Sequence, residues 1–232
     1  MSALSGVFED HKVFAKHTVF GDRCVFGDGC EFGDGCRFGD GCRFGKGSVF
    51  GKGSVFGNSC VFGDSCIFGD GCTFGALCDF GRYTSFGERC SIGLACIMKN
   101  TSVVGAHSKI GDYAHIGDSC RIRNGCELGE MSTLGAFVAL GDDVVVGARC
   151  RFSSGHVFGA RCQFQGTVVV DDENLGKLWI TFGSDGTDVY VVDHNKGVTW
   201  KFDALLKEQI ASPWTLFAGL AKLKKERALC QR

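Results

Sequence analysis

The chain has 232 residues, a formal net charge of −1, 36 glycines, 21 phenylalanines, 15 cysteines and one proline. The near-neutral charge argues against a generally basic nucleic-acid binder, so no nucleic-acid partner is expected. No apolar run approaches the roughly 18 residues that a membrane-spanning helix needs, so no membrane partner is expected. Residues 1–11 lack the apolar stretch of a secretory signal. Fifteen cysteines without an export signal predict a reducing, cytoplasmic location, where they stay thiols.

A six-residue repeat runs without insertion or deletion from near Val7 to near Val170. A large apolar residue recurs every sixth position from Phe8 to Phe164, which gives 27 hexads, and glycine follows it in 21 of them. Fourteen of the 15 cysteines lie four residues after the large residue. This spacing predicts three-residue strands, such as 24–26, joined by tight turns in which glycine and aspartate supply the backbone conformations.

Three strands and three turns make an 18-residue triangular coil, so residues 18 apart are predicted to stack. Nine such coils form a prism about 43 Å long. Phe20 and Phe38 should then belong to one interior ladder with ring centroids about 5 Å apart, and Cys24 and Cys42 to another. Replacing Cys60 by serine is expected to cost about 1–3 kcal/mol, because the sequence assures no partner for a buried hydroxyl.

Hexads such as 26–31, Phe-Gly-Asp-Gly-Cys-Glu, resemble the aliphatic-Gly-x-x-small-x pattern of the hexapeptide-repeat superfamily, although phenylalanine replaces the aliphatic residue. The resemblance implies an all-β solenoid over residues 7–170, a left-handed parallel β-helix of about nine triangular coils. The left hand comes from the resemblance alone, since general connection rules favour the right hand.

The resemblance also implies a homotrimer. One outward column supports this prediction, because six of its nine members are apolar and an exposed apolar stripe usually marks an interface. That column contains Val13, Glu31, Val49, Ile67, Ser85, Val103, Arg121, Ala139 and Val157.

Residues 171–232 are predicted to form a C-terminal β/α cap and helical tail. Strand patterns occupy Lys177–Phe182, Val189–Val192 and Val198–Phe202, and helix patterns occupy 204–210 and about 213–229. We expect a lid over the open end of the prism; a basic helix that binds nucleic acid is the alternative. The layout also resembles uncharacterised bacteriophage and prophage hexapeptide proteins, which implies the host cytoplasm, a host-protein partner and a counter-defence role.

Hexapeptide-repeat proteins include CoA-dependent acyltransferases, so the resemblance implies a histidine base in a cleft between subunits and acetyl-CoA as the cofactor. His107, in a turn, is the candidate base. No loop interrupts the hexads and no acetyltransferase signature follows them. A solvated turn histidine is the alternative reading of His107.

The γ-class carbonic anhydrases share this fold and hold zinc with three histidines. Here His107, His115 and His156 fall on a turn, an outward strand position and an inward one, so they cannot converge on one metal. No metal is therefore expected, and the only cofactor considered is the acetyl-CoA of the acyltransferase alternative. His156 is expected to be a core histidine hydrogen-bonded to the cap.

One outward surface near the C-terminal coils combines two arginines, an aromatic ring, a histidine and a hydroxyl: Tyr113, His115, Thr133, Arg149 and Arg151. Bidentate donors beside a stacking face suit a phosphate-bearing, nucleotide-like ligand. A solvated charged strip is the alternative. The sequence therefore predicts a non-enzymatic homotrimeric binding protein that sequesters a small anionic ligand or engages a host protein; a CoA-dependent acyltransferase is the second hypothesis.

Overall fold

The computed structural model describes residues 3–153, 155–159, 162–172, 176–182, 189–193 and 198–202. The repeat forms a parallel β-solenoid with a triangular cross-section and about nine coils. Each hexad contributes a two-residue strand, one residue shorter than predicted, with its first side chain outward and its second inward. Val25 pairs in parallel with Val7 on one side and Arg43 on the other, so residues 18 apart stack as predicted.

The strands belong to three sheets, one on each face of the prism. Sheet I contains Val7–Phe8, Val25–Phe26, Arg43–Phe44, Val61–Phe62, Asp79–Phe80, Ile97–Met98, His115–Ile116, Thr133–Leu134 and Arg151–Phe152. Sheet II contains Val13–Phe14, Glu31–Phe32, Val49–Phe50, Ile67–Phe68, Ser85–Phe86, Val103–Val104, Arg121–Ile122, Ala139–Leu140 and Val157–Phe158. Sheet III contains Val19–Phe20, Arg37–Phe38, Val55–Phe56, Thr73–Phe74, Ser91–Ile92, Lys109–Ile110, Glu127–Leu128, Val145–Val146 and Gln163–Phe164. We number the coils 1 to 9, beginning at residues 7, 25, 43, 61, 79, 97, 115, 133 and 151.

Sheet I continues past the last coil. Thr167–Asp172 pairs in parallel with Arg151–Phe152, and Gly176–Phe182, Val189–Asp193 and Val198–Phe202 then follow as antiparallel strands. The last three strands overlap the ranges that the sequence patterns indicate, and all four add to the edge of sheet I; the cap over the prism stays a prediction. The predicted helices at 204–210 and 213–229 lie outside the described residues, as do the side chains of the predicted cap. Within the described residues, no helix is long and apolar enough to cross a membrane.

Phenylalanine rings fill the interior of the early coils in a regular pattern. Phe62 stacks on Phe44 at 4.9 Å and on Phe80 at 5.0 Å, with interplanar angles of 3° and 5°. It also meets Phe56 and Phe68 edge to face, at centroid distances of 5.1 and 5.0 Å. Both arrangements are favourable for aromatic quadrupoles, so each ring gains more than its buried area alone provides. The predicted interior ladder is confirmed.

Thiols occupy the small inward position between the rings. The 14 cysteines of the described residues are free, and all but Cys162 are buried. Each of them has a backbone acceptor: the Cys60 thiol, for example, donates to the Gly39 carbonyl at 3.5 Å. Burial raises the pKa of the Cys66 thiol to about 12, because the apolar surroundings disfavour a thiolate. The cysteines therefore act as small core residues in this part of the chain.

Serines at the same inward position show that a buried hydroxyl there has a hydrogen-bond partner, which bears on the loss of stability expected for Cys60→Ser. Ser48 and Ser54 are fully buried, and their hydroxyls donate to the carbonyls of Gly45 and Gly51 at 3.0 and 2.9 Å. Thr84 makes the same bond to Gly81, three residues earlier. A hydroxyl at this position thus finds a partner within its own turn, so the premise of an unpartnered hydroxyl is wrong.

Close packing of successive coils explains the glycine that follows the large residue. A Cβ atom added at Gly63 would lie 2.7 Å from the backbone nitrogen of Lys46 in the coil below. The next turn residue is often aspartate or asparagine, and its side chain binds the coil above. Asp40 Oδ1, for example, accepts a hydrogen bond of 2.6 Å from the Asn58 N–H. We call this series of bonds the Asx ladder; it is a structural role that the turn composition alone did not predict.

Candidate functional site

The outward residues of sheet I bring three members of the predicted ligand surface into one column. His115 is paired with Thr133, and Thr133 with Arg151, in coils 7, 8 and 9. Parallel strands in a sheet lie about 4.8 Å apart, so His115 and Arg151 are separated by about 10 Å along the axis. His115 and Arg151 are exposed, and Thr133 is half-buried. This column is therefore a short polar strip on a flat face.

The neighbouring corner, between sheets III and I, supplies Tyr113 and Arg149. Both residues have positive φ angles, 59° in each case, which places their side chains at the tip of the turn. Tyr113 is 56 % exposed, so solvent and ligands can reach its side chain. The Tyr113 N–H donates to the Glu130 carbonyl at 2.8 Å, which fixes the turn against the next coil. The structure thus places all five predicted residues on one continuous surface.

The two arginines differ in their partners. Arg149 Nη2 lies 3.3 Å from Glu130 Oε2, so its charge is already balanced by an exposed ion pair. Arg151 forms no ion pair and no side-chain hydrogen bond among the described residues. An anion arriving at this surface would therefore meet Arg151 as its least compensated cation, whereas Arg149 would first have to share or release Glu130. We name this surface the sheet I strip: Tyr113, His115, Thr133, Arg149 and Arg151.

The three histidines considered for zinc occupy the turn, outward and inward positions that the repeat predicts. His107 is exposed at a turn with φ of 57°. His115 faces outward on sheet I, and His156 is 3 % exposed inside coil 9. Among the described residues, no group of three or more histidine, cysteine or acidic side chains is arranged to hold a metal ion.

His156 does not depend on the cap for the bond that the structure describes. Its Nδ1 lies 3.3 Å from the Val138 carbonyl, one coil below, so the described bond is to the solenoid, and a bond to the cap stays a prediction. Its Nε2 is buried and has no hydrogen-bond partner among the described residues. The ring also meets Phe152 edge to face at 5.1 Å. Desolvation in this apolar environment lowers the pKa of His156, so the neutral imidazole is favoured.

A groove at the corner between sheets II and III was missed by the sequence reasoning. It has a volume of about 270 Å³, and we call it the corner groove. Its lining consists of Phe68, Asp70, Ser85, Phe86, Gly87, Glu88, Val103, Gly105 and Arg123. A sequence signal for it existed: Arg123 stands where 21 of the 27 hexads carry glycine.

Comparison with known proteins gives one family match. Residues 101–136 match the family described as bacterial transferase hexapeptide (six repeats). The matched segment has the length of two 18-residue coils and contains His107 and Arg123. Together with the β-solenoid, this match supports a place in the hexapeptide-repeat superfamily. No curated protein and no solved structure shows significant similarity to the chain.

Proposed function

We propose that this protein is a non-enzymatic, homotrimeric binding protein that takes a small anionic, nucleotide-like ligand at the sheet I strip. Arg151 is the observation that carries this proposal, because it is an exposed guanidinium without an ion-pair partner among the described residues. His115 and Thr133 stand in register beside it and offer further donors. Tyr113 offers an exposed aromatic face for a base. A flat face needs a neighbouring surface to enclose a ligand, and a trimer partner would supply one.

Titration of nucleotides, cyclic dinucleotides and CoA into the wild type and Arg151→Ala tests this site. Loss of one charge-assisted contact should weaken binding by about tenfold to over a hundredfold. Arg43→Ala is the matched control, because Arg43 is an exposed outward arginine of the same sheet, six coils away from Arg151. Equal binding by the wild type and Arg151→Ala would show that the strip is only a solvated surface.

The outward column of sheet II supports the homotrimer. Ile67 is 51 % exposed and Val157 is 58 % exposed, so large apolar side chains lie on an open face of the prism. Val49, in coil 3, is also exposed. Val103, in coil 6, is half-buried. Burying this stripe against a second subunit would remove apolar surface from water.

Light scattering of a Val49→Lys, Ile67→Lys, Val103→Lys triple variant tests the trimer. We expect the wild type to be a trimer at micromolar concentration and the variant to be a monomer, because three buried lysines would lose hydration without partners. A triple lysine variant of Val19, Val55 and Val145, on sheet III, is the control. A monomeric wild type would contradict the proposal.

A CoA-dependent acyltransferase is the second candidate, favoured by the family match that contains His107. The His107 N–H donates to the Asn124 carbonyl at 2.9 Å, but its ring has no hydrogen-bond partner among the described residues that would orient it as a base. A thermal shift with acetyl-CoA that His107→Ala abolishes would support the enzyme. A phage origin, a host-protein partner and a cytoplasmic location stay predictions.

A further inference from the structure

The Asx ladder is interrupted beside the corner groove. The second turn residues of this corner are Asp70, Glu88, Ala106 and Asn124 in coils 4 to 7. Asp70 Oδ1 accepts a hydrogen bond of 3.0 Å from the Glu88 N–H. The Asn124 N–H occupies the equivalent position two coils later, but Ala106 below it has no carboxylate to accept its bond. This N–H has no acceptor among the described residues, and the same holds for the Asp64 and Asp70 N–H groups above Lys46 and Lys52, so it is one of several backbone donors that the Asx ladder leaves open.

A cation stands next to this vacant acceptor position. Arg123 directly precedes Asn124 and takes the first turn position, where glycine normally avoids the coil below. In that coil the corresponding residue is Gly105, and both residues line the groove. Arg123 forms no ion pair among the described residues. The guanidinium is therefore an unpaired cation in the groove lining, and the Asn124 N–H follows it directly in the chain.

The opposite end of the corner groove is acidic. Glu88 and Asp70 line it one and two coils below Gly105. Glu88 Oε2 contacts only Arg89, at 3.4 Å, and both side chains are more than half exposed. Asp70 Oδ2 lies 3.1 Å from Lys52, and the Glu88 N–H and Lys52 keep the pKa of Asp70 below its usual value. Each carboxylate has more lone pairs than these partners use, so both remain acceptors for a ligand cation.

We propose that the corner groove binds a compact dipolar amino acid. The ligand carboxylate contacts the Arg123 guanidinium and the Asn124 N–H, in place of the missing carboxylate at position 106. The ligand ammonium group contacts Glu88, which lies two coils or about 10 Å along the axis from Arg123, and Asp70 attracts it from one coil further on. A groove volume of about 270 Å³, near the lower end of small-molecule sites, suits a small ligand. This site is separate from the sheet I strip, which lies on another face. Ser85 and Val103 belong both to its lining and to the outward column of sheet II, so the amino-acid titration is paired with light scattering that records the oligomeric state in which binding occurs.

The experiment compares ligands that differ in charge separation. Glycine, β-alanine, 4-aminobutyrate and 5-aminopentanoate are titrated into the full chain by calorimetry and ligand-observed NMR. Acetate and ethylamine carry one charge each and serve as the single-charge references. We expect at least one amino acid to bind more tightly than either reference, because only a dipolar ligand satisfies both ends of the groove.

Two variants restore the repeat pattern and so should fold. Arg123→Gly returns the common glycine and removes the cation, and it should weaken amino-acid binding by about tenfold or more. Ala106→Asp supplies a built-in acceptor for the Asn124 N–H and a partner for Arg123, and it should block binding although Arg123 remains. Lys99→Gly is the matched control: Lys99 takes the same turn position at another corner, but there its ammonium already lies 3.3 Å from Asp79 Oδ1.

Three results would overturn the proposal. Acetate or ethylamine binding as tightly as every amino acid would exclude a dipolar ligand. Unchanged affinity in Arg123→Gly or Ala106→Asp would exclude the groove as the site. No binding of any amino acid to the wild type at millimolar concentration would exclude the ligand class. Unchanged affinity in Lys99→Gly is required for the interpretation to stand.

Discussion

Coils 1–4 and coils 5–8 build the same prism from different residues. All 12 large inward residues of coils 1–4 are phenylalanine, whereas only Phe80 and Phe86 are phenylalanine among the 12 of coils 5–8. The third residue of each turn, three positions after the large inward residue, has a positive φ. It is glycine in six of the 12 turns of coils 1–4, but in only one of the 12 turns of coils 5–8, at Gly125. In coils 1–4, half of the turns thus place glycine at the position with positive φ, where it causes no steric strain. In coils 5–8, nearly every turn places a residue with a side chain there.

This difference in turn residues indicates which coils carry polar and aromatic side chains at their corners. A side chain in the left-handed region costs about 1–2 kcal/mol relative to the right-handed one, and glycine avoids that cost. His107, Tyr113 and Arg149 all accept this backbone conformation. Arg123 departs from glycine at the neighbouring turn position in the same region. The candidate sites therefore lie mainly in the half of the solenoid that departs from the ideal repeat.

The largest effect should come from emptying the aromatic interior of the first region. Phe62→Ala should lower the free energy of unfolding by about 3–5 kcal/mol, since it leaves a cavity among four close rings. Chemical denaturation with fluorescence or circular dichroism measures it. Phe62→Leu is the control, because leucine fills the same position in coils 7 and 8. A leucine variant as unstable as the alanine variant would show that ring stacking, more than volume, stabilises coils 1–4.

The next effect concerns the far end of the prism and is pH-dependent. Since the folded pKa of His156 is lowered, the unfolded chain binds a proton at higher pH than the folded chain does. Stability from the neutral His156 is present above about pH 6.5 and is lost as the pH falls below it, with a slope of at most about 1.4 kcal/mol per pH unit.

Denaturation midpoints between pH 7.5 and 5 would measure this slope. His156→Val should flatten it, because valine occupies the same inward position at Val138 in the coil below. Exposed His115→Ala should retain it. A wild type and His156→Val with parallel pH profiles would show that the buried imidazole does not titrate with unfolding.

A smaller effect should follow from relieving one strained corner of the second region. Tyr83 has φ of 58°, and Tyr83→Gly should raise the free energy of unfolding by up to about 1 kcal/mol, reduced by the greater freedom of glycine in the unfolded chain. Gly53→Ala is the reverse test in coils 1–4, because its added Cβ would meet no atom within 4 Å and only the backbone conformation changes. Opposite signs for the two variants are expected in thermal denaturation.

The smallest effect should be Cys60→Ser, with a change in unfolding free energy of about 1 kcal/mol or less. The serine hydroxyl should donate to the Gly57 carbonyl, as Ser54 does to Gly51. In the wild type, Cys42, Cys60 and Cys78 should not react with a bulky thiol reagent until the protein unfolds, whereas Cys230 should react quickly. Thiol titration with and without denaturant measures this, and rapid reaction of the whole set would contradict the inward register.

The unbroken period of six was enough to predict the coils, the parallel register, the interior columns and the surface that groups His115 with Arg151. It could not predict which charged groups pair across coils. Arg149 with Glu130, and Arg123 without a partner, depend on the reach of flexible side chains and on which small residue lies between them. The buried partner of His156 also depended on local geometry. The left-handed sense of the solenoid stays a prediction that rests on the family resemblance.

Because every coil has the same rise and the same turns, the solenoid should tolerate the insertion or deletion of whole repeats, which would disrupt the core of most globular folds. Loss or duplication of 18 residues, such as 43–60, joins one complete coil to another and leaves every later column on its own face. Loss of six residues keeps each phenylalanine inside but rotates all later coils by one face relative to the earlier ones. Unequal recombination at this locus can thus lengthen the protein or reorient its two halves while folding is preserved.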